Sequence, residues 1–235
     1  MAKTVIVSGG TGGLGSAVTR RLLDDGWRVV VPWVAEAELS RLPGADHPGA
    51  DRLVTLQADL FDEGSVDEVV STAASDRAAP VTAVVNLVGG FAMGERVDAT
   101  PVDEFERLLR LNLRPLYLLS AAAIPRLAEA GGGSIVGVSA KAAFAPFSGA
   151  AGYITSKAAV WAFVSALAAE YKSDGIRANA ILPSVIDTPG NRESQPDSSR
   201  SGWVSPEAIA DTIAFLVSDA SSAITGAQVP VPGVG

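Results

Sequence analysis

Two residue types that carry much of enzyme chemistry are nearly missing from this 235-residue sequence. It contains no cysteine and one histidine, His47. Without thiols there are no disulfides and no cysteine nucleophile, and a single imidazole cannot build a metal site of the histidine and cysteine type. We therefore predict no metal site. Catalysis has to rely on oxygen acids, Lys, Tyr, Ser or a cofactor.

Positive charge and long apolar runs are also scarce. Asp and Glu number 26 against 18 Lys and Arg, a formal net charge of -8, and no basic run could follow a phosphate backbone. We expect no nucleic acid partner. The start, MAKTVIVSGG, has neither a signal-peptide core nor a membrane span, so we expect no membrane association and a cytoplasmic location.

Short runs rich in Val and Ile alternate with longer stretches rich in Ala and Leu. This alternation is typical of a parallel sheet covered by helices. We predict an α/β fold in one domain, residues 1–235, with seven parallel strands. The predicted strands are Thr4–Val7, Arg28–Val31, Leu53–Leu56, Ala83–Leu87, Ser134–Val138, Arg177–Leu182 and Gln228–Val231. The predicted helices are Gly13–Asp25, Glu36–Leu42, Val66–Ser75, Val102–Glu129, Tyr153–Ser173 and Pro206–Ser218.

Two features suggest surfaces beyond the core. The long loop 184–204 is predicted to be a substrate lid, with a plain surface excursion as the alternative. The predicted helix at about 153–173 is apolar on nearly every face, whereas a helix covering an open sheet has one inward face. We therefore expect a homodimer or homotetramer through the helices at about 102–129 and 153–173, unless that helix is tightly covered within one chain.

A glycine-rich turn follows the first predicted strand. Gly9, Gly13 and Gly15 are spaced G-x-x-x-G-x-G, and an amphipathic helix begins there. Glycines let the backbone approach a pyrophosphate, and the amides at the helix start attract its charge. No Lys follows as in a nucleoside-triphosphatase loop. The turn therefore predicts dinucleotide binding, with a plain tight turn as the alternative.

The end of the second predicted strand lacks the usual cofactor signal. Dinucleotide folds often place an acidic residue there to bind the ribose, but this sequence has Pro32, Trp33 and Val34. Glu36 and Arg41 lie farther along. Trp33 is expected either against the adenosine or in the core. The cofactor is therefore NADP or NAD, with the preference undecided.

Tyr153 and Lys157 are four positions apart at the start of a predicted helix, so their side chains share one face. An ammonium beside a phenol lowers its pKa, which makes Tyr a usable general acid or base. Ser139 ends a buried strand fourteen positions earlier, at the sheet edge where ligands of α/β folds bind. The three residues form a candidate catalytic group.

With the glycine turn, Asn86 and Asn112, these residues stand in the order and approximate spacing of the short-chain dehydrogenase/reductases, which the whole chain resembles. The resemblance implies a Rossmann-like, doubly wound sheet with helices on both faces. It also implies an NAD(P)H-dependent oxidoreductase, of ketoreductase or alcohol dehydrogenase type, that transfers hydride to the carbonyl of a hydrophobic small molecule. A non-redox member of the fold, such as a cyclase, isomerase or dinucleotide-sensing protein, is the alternative.

The resemblance also implies roles. Tyr153 would exchange a proton with the substrate oxygen, and Ser139 would hydrogen-bond that oxygen. Lys157 would lower the Tyr pKa and hold the nicotinamide ribose, and Asn112 would order a water that relays protons to Lys157. The residues expected at the cofactor are Gly9, Thr11, Gly13, Leu14, Gly15, Trp33, Asp59, Leu60, Asn86, Val88, Tyr153, Lys157, Ile186 and Thr188.

The segments NLVGGF and LPSVIDTPGNRESQPDSSRSGW are similar to the quinonoid dihydropteridine reductase branch of the family, which makes such an enzyme a further alternative. That branch often lacks the catalytic Ser, whereas this chain has Ser139. Loop aromatics near the sheet edge predict a hydrophobic substrate, although such side chains also pin loops to the core. The candidate substrate contacts are Phe91, Met93, Phe144, Phe147 and Trp203.

Overall fold

The computed structural model describes residues 2–233, which form a seven-stranded parallel sheet covered by helices on both faces. The strand order is β3-β2-β1-β4-β5-β6-β7. The strands are β1 (Thr4–Ser8), β2 (Arg28–Trp33), β3 (Leu53–Gln57), β4 (Val81–Asn86), β5 (Gly133–Val138), β6 (Ile176–Pro183) and β7 (Gln228–Val231). The helices are α1 (Gly13–Asp24), α2 (Glu63–Ala73), α3 (Val102–Glu129), α4 (Ala151–Glu170), α5 (Pro189–Ser194) and α6 (Pro206–Val217).

The interiors of β1 and β2 are apolar on both sides because both faces of the sheet are covered. In β1, Ile6 points into the core beneath α2, α3 and α4, while Val5 and Val7 point into the core beneath α1 and α6. Successive strand residues face opposite sides, so a continuous Val and Ile run is what a doubly covered strand requires. The predicted α/β fold with seven parallel strands is confirmed.

The strand order reverses at β1, which lies between β2 and β4. At such a point the connections leave in opposite directions and a crevice opens beyond the carboxyl ends of the strands. Ser8 ends β1 and Asn86 ends β4. The Ser8 hydroxyl donates a hydrogen bond to Asn86 Oδ1 at 2.7 Å. Asn86 therefore ties β1 to β4 directly beneath the crevice.

Most predicted bounds differ from the observed ones by one to three residues, as for the predicted helix Tyr153–Ser173, observed as Ala151–Glu170, and three differences have a local cause. The predicted helix Glu36–Leu42 is a 3₁₀ helix, Glu36–Arg41. Helix α2 begins at Glu63 rather than Val66, because the Asp62 carboxylate caps it by accepting from the Ser65 amide at 2.8 Å. The predicted lid contains α5, which begins with Thr188 as its cap followed by proline.

Within residues 2–233, no helix combines the length and the apolar character needed to cross a membrane.

Candidate active site

The glycine turn between β1 and α1 requires glycine at two positions. Gly9 has φ +69°, and a Cβ on Gly15 would lie 2.0 Å from the Gly9 carbonyl oxygen. Helix α1 begins after Gly12 with no side chain capping its amides and no acidic residue in its first turn. Open amides at the positive end of the helix dipole suit a pyrophosphate. The turn thus fits the dinucleotide predicted from the sequence.

The 3₁₀ helix after β2 packs onto this turn through charged side chains. Thr11, only 3% exposed, donates a hydrogen bond from Oγ1 to Glu38 Oε2 at 2.8 Å. Arg41 Nη1 donates to Glu38 Oε1 at 3.1 Å and to the Thr11 carbonyl at 3.4 Å. The sequence analysis missed Glu38. Its signal is the three-residue spacing from Arg41, which places two side chains on one face of a 3₁₀ helix.

The residues expected at the adenine end also lie together. Trp33 ends β2, and its carbonyl accepts from the Ala58 amide at 2.9 Å, one residue before Asp59 and Leu60. Asp59 Oδ1 accepts from the Phe61 amide at 2.9 Å, while Leu60 is buried. The predicted adenine contacts therefore border the same end of the crevice as Trp33.

Ser139 and Lys157 meet at the carboxyl end of β5. The Ser139 hydroxyl donates to the Lys157 backbone carbonyl at 2.7 Å, and Lys157 Nζ donates to the Val138 carbonyl at 3.0 Å. Lys157 is only 7% exposed. Its burial lowers the pKa of the ammonium to about 8, because removal from water penalises the charged form.

Tyr153 lies one helical turn before Lys157, whose Nζ is 6.0 Å from the phenol ring centre. Burial raises the pKa of Tyr153 to about 12. The sequence predicted the opposite direction, with Lys157 lowering the phenol pKa. The difference arises because burial removes water from the phenolate, and this loss dominates at Tyr153. The phenol therefore keeps its proton at neutral pH.

Asn112 is buried and fully hydrogen-bonded. Its Oδ1 accepts from the Gly90 amide at 2.9 Å, and its Nδ2 donates to the Gly90 carbonyl at 3.1 Å and to Ser156 Oγ at 2.9 Å. A Cβ on Gly89 would lie 2.5 Å from Asn112 Oδ1 and 3.0 Å from Lys157 Nζ. Asn112 thus anchors the strand end beside Lys157. Ser156 was not singled out by the sequence analysis, because a hydroxyl in mid-helix carries no distinctive pattern.

Two aromatic side chains extend from Tyr153 toward solvent. The Phe91 ring meets the Tyr153 ring edge to face, with centres 4.9 Å apart, and Phe147 lies 6.5 Å from Phe91. Both phenylalanines are about half exposed. Phe144 instead packs on Trp161 at 4.6 Å, two helical turns along α4 from Tyr153. Phe144 is about half exposed, and its placement at the substrate stays a prediction.

The other two candidate substrate contacts lie on loops. Met93 is exposed, next to Gly94, whose amide donates to the Gly149 carbonyl at 2.8 Å. Trp203 is partly buried near the end of the lid, where its amide donates to the Arg200 carbonyl at 3.0 Å. The positions of Met93 and Trp203 are thus set by the hydrogen bonds of their loops.

The lid is folded against the glycine turn. A Cβ on Gly13 would lie 3.0 Å from the Thr188 side chain, so α5 begins directly over α1. Asp187 forms a two-point ion pair with Arg192, at 2.6 and 2.9 Å, and this pairing lowers the pKa of the carboxyl. Asn191 Nδ2 donates to the Ile186 carbonyl at 2.8 Å. These bonds fix the start of α5 and bring Ile186 and Thr188 near the turn.

Among residues 2–233, no three His, Cys, Asp or Glu side chains cluster in a way that could hold a metal ion.

Comparison with known proteins identifies the family. Residues 3–199 match the family model of the short chain dehydrogenases. The chain belongs to this family. The protein named "2-(R)-hydroxypropyl-CoM dehydrogenase", from Xanthobacter autotrophicus, is 29% identical to it over 99% of this chain and 98% of its own length. "Dehydrogenase/reductase SDR family member 4" of Oryctolagus cuniculus is 31% identical over 98% of this chain and 92% of its own length.

Solved short-chain dehydrogenase structures share the fold. The structure titled "ElxO with NADP Bound" aligns with a TM-score of 0.90 at 21% identity, covering 98% of this chain and 97% of that one. The predicted resemblance to short-chain dehydrogenase/reductases is confirmed, as is the prediction of an NAD(P)-dependent oxidoreductase acting on an alcohol or a ketone. The similarity of the loops to the dihydropteridine reductase branch stays a prediction.

Proposed function

We propose that this enzyme reduces the carbonyl group of a hydrophobic small molecule and that Tyr153 donates the proton. The observation that carries the proposal is the placement of Tyr153 one helical turn before the buried Lys157, with its ring against the half-exposed Phe91 ring. A phenol that keeps its proton is a general acid, whereas alcohol oxidation needs its conjugate base. Reduction, in which the phenol acts as the acid, is the direction that we propose.

NAD(P)H would supply the hydride. The glycine turn would hold its pyrophosphate with the amides at the start of α1, Asp59 and Leu60 would border its adenine, and Ile186 and Thr188 would border its nicotinamide end. The full proposed set is Gly9, Thr11, Gly13, Leu14, Gly15, Trp33, Asp59, Leu60, Asn86, Val88, Tyr153, Lys157, Ile186 and Thr188.

Three residues would support proton transfer at Tyr153. The Lys157 ammonium, charged below a pKa of about 8, would stabilise the phenolate that forms as the proton leaves. The Ser139 hydroxyl donates to the Lys157 carbonyl in this structure, so it would rotate to donate to the substrate oxygen. The side-chain amide of Asn112 is bonded to the Gly90 amide and carbonyl. The water that relays protons to Lys157 would therefore be ordered by the backbone of Asn112 and not by its side chain.

The substrate would lie against the aromatic side chains beside Tyr153. Phe91 and Phe147 present half of their surface to solvent, and such exposed apolar rings beside a reactive group mark a binding surface. Met93 and Trp203 would extend this wall from the two loops. Phe144 would contribute the part of its ring that its packing on Trp161 leaves exposed.

The deciding experiment is titration of the purified protein with NADH and NADPH, followed by assay on aromatic and aliphatic ketones. We expect reduction of at least one ketone by wild type and a loss of about hundredfold or more in Tyr153→Phe, with nucleotide affinity unchanged. Phenylalanine keeps the ring that contacts Phe91 and removes only the hydroxyl. If neither nucleotide binds below millimolar concentration, the function is wrong; if Tyr153→Phe keeps full activity, the proton donor is wrong.

We also propose that the protein assembles as a homodimer or homotetramer through α3 and α4. Helix α4 leaves Ala162, Ala166 and Ala169 exposed on the side away from the sheet, and α3 leaves Tyr117 half exposed. Small side chains allow close approach of two helices, which supports this surface as the contact. The cytoplasmic location stays a prediction, which cell fractionation would test.

A further inference from the structure

At the adenosine end of the crevice, charged side chains come from the 3₁₀ helix that follows β2 and not from β2 itself. Strand β2 ends in Pro32 and Trp33, and Val34 follows, so no carboxylate or guanidinium stands at the strand end. The chain continues into the 3₁₀ helix Glu36–Arg41, which folds back onto the glycine turn. This helix therefore brings charged side chains to the turn that the strand end lacks.

Glu38 is the residue that this helix delivers to the turn. Its Oε2 accepts from the Thr11 hydroxyl at 2.8 Å, and its Oε1 accepts from Arg41 at 3.1 Å. Each carboxylate oxygen has a second lone pair, so the group can accept further hydrogen bonds. In dinucleotide folds the ribose of the adenosine lies between the glycine turn and the end of the second strand. Glu38 stands on that path.

We propose that Glu38 selects NAD(H) over NADP(H) by accepting hydrogen bonds from the ribose hydroxyls and repelling a 2′-phosphate. The proposal rests on the dinucleotide binding described above and adds the preference between the two cofactors. Glu38 takes the place of an acidic residue at the strand end, from five positions beyond Trp33.

Both groups bond to the turn, but the carboxylate accepts from the buried Thr11 hydroxyl at 2.8 Å, whereas the Arg41 guanidinium reaches the Thr11 carbonyl only at 3.4 Å. Thr11 is 3% exposed, so moving Glu38 away would leave a buried hydroxyl without its acceptor. Arg41 lies outside, with 53% of its side chain exposed, and its charge is already paired with Glu38. The Glu38 carboxylate would therefore repel a 2′-phosphate at this position, because it cannot move away without losing its hydrogen bond from Thr11.

Arg41 also borders a groove along α1, and that groove is not a ready phosphate site. It starts at Gly13 and has equal numbers of acidic and basic side chains, so it offers no net positive charge. Its charged lining residues are Arg20, Arg21, Asp24, Arg41, Glu207 and Asp211. The groove therefore has no excess positive charge that could offset the Glu38 carboxylate bonded to Thr11.

Calorimetric titration with NADH and NADPH tests the proposal without any substrate. We expect wild type to bind NADH about tenfold or more tightly than NADPH, because the two cofactors differ only by the 2′-phosphate. Glu38→Gln keeps an oxygen to accept from Thr11 and removes the charge. It should narrow the ratio of the two dissociation constants by about tenfold, mainly through tighter NADPH binding. Adenosine monophosphate and adenosine 2′,5′-bisphosphate should show the same change, since they carry only the adenosine end.

Glu36→Gln is the matched control, because Glu36 lies two positions away on the same 3₁₀ helix, is exposed, and leaves the Thr11 contact intact. We expect its ratio to equal that of wild type. A wild type that prefers NADPH, or a Glu38→Gln protein with an unchanged ratio, overturns the role of Glu38 while leaving dinucleotide binding in place. Failure to bind either nucleotide overturns the proposed function itself, and the role of Glu38 with it.

Discussion

Lys157 shows at the scale of one residue how burial changes a charge. Its Nζ is bonded to the Val138 carbonyl inside the sheet edge, and the pKa of the group falls to about 8 from 10.5. Between these two values the unfolded chain holds a proton at residue 157 that the folded chain has released. The contribution of Lys157 to stability therefore rises as the pH rises from about 8 to 10.5.

Lys157→Met tests this coupling without a substrate, since methionine has a similar length and no charge. We expect the free energy of unfolding of wild type, relative to Lys157→Met, to rise by roughly 2 to 3 kcal/mol between pH 7 and pH 10.5. Urea unfolding at several pH values measures the difference. For the control Lys172→Met, at an exposed lysine, the difference in the free energy of unfolding between wild type and variant should show a flat dependence on pH over the same range. A flat difference for Lys157→Met as well would show that the buried ammonium has no lowered pKa.

At the same scale, the sequence predicted the candidate catalytic residues but not their protonation. Tyr153 and Lys157 are found from a four-residue spacing, which a helix turns into one face. Whether the phenol pKa rises or falls depends on how much water the fold removes and on where Nζ points. Those are properties of α4 packed on β5, and no spacing along the chain contains them.

The lid is the element whose local structure matters most for the cofactor crevice. Its helix α5 has six residues and is held at its start by the ion pair of Asp187 with Arg192 and by the bond from Asn191 to the Ile186 carbonyl. So short a helix is not stable alone, and its side-chain bonds keep it folded over the glycine turn. The sequence indicated a lid but not this helix, although Thr188 followed by Pro189 is a helix start signal.

Removal of the lid ion pair should open the lid without unfolding the domain. In Asp187→Asn we expect trypsin to cleave at Arg192 or Arg200 about two- to fivefold faster than in wild type, since an exposed ion pair contributes only a small part of the stability of a segment. The melting temperature should stay within about one degree, because the pair lies outside both cores. Gel analysis of timed digests measures the rate.

Asp197→Asn provides the comparison for this experiment. It makes the same chemical change in the same loop, at an exposed carboxylate that takes part in no ion pair recorded for residues 2–233. Its digestion rate should match that of wild type. Equal digestion of wild type and Asp187→Asn would mean that the ion pair does not hold the lid.

For the whole molecule, the open question is what covers the outer side of α4. Helix α4 packs against β5, β6 and α3 on its inner side, and exposed alanines line its outer side. We expect a solution mass of two or four times 24.0 kDa by light scattering. Ala162→Arg should reduce that mass by half or more, because a long charged side chain prevents close helix packing.

Ala208→Arg is the control at this scale, since Ala208 is exposed on α6, which covers the opposite face of the sheet. Its mass should equal that of wild type. A monomeric wild type would show that the apolar character of α4 serves only the packing within one chain. An unchanged mass in Ala162→Arg would place the contact between subunits elsewhere.

The amino-acid sequence by itself determined the parallel sheet, the glycine turn, and the candidate catalytic group of Ser139, Tyr153 and Lys157. These follow from periodicity and spacing, which are local properties of a chain. Only the tertiary structure decided that Glu38 reaches Thr11, that Phe144 turns to Trp161, and that the pKa of Tyr153 is raised. Each of these depends on which distant surfaces meet and on how much water they exclude, and both are set when the helices pack on the sheet.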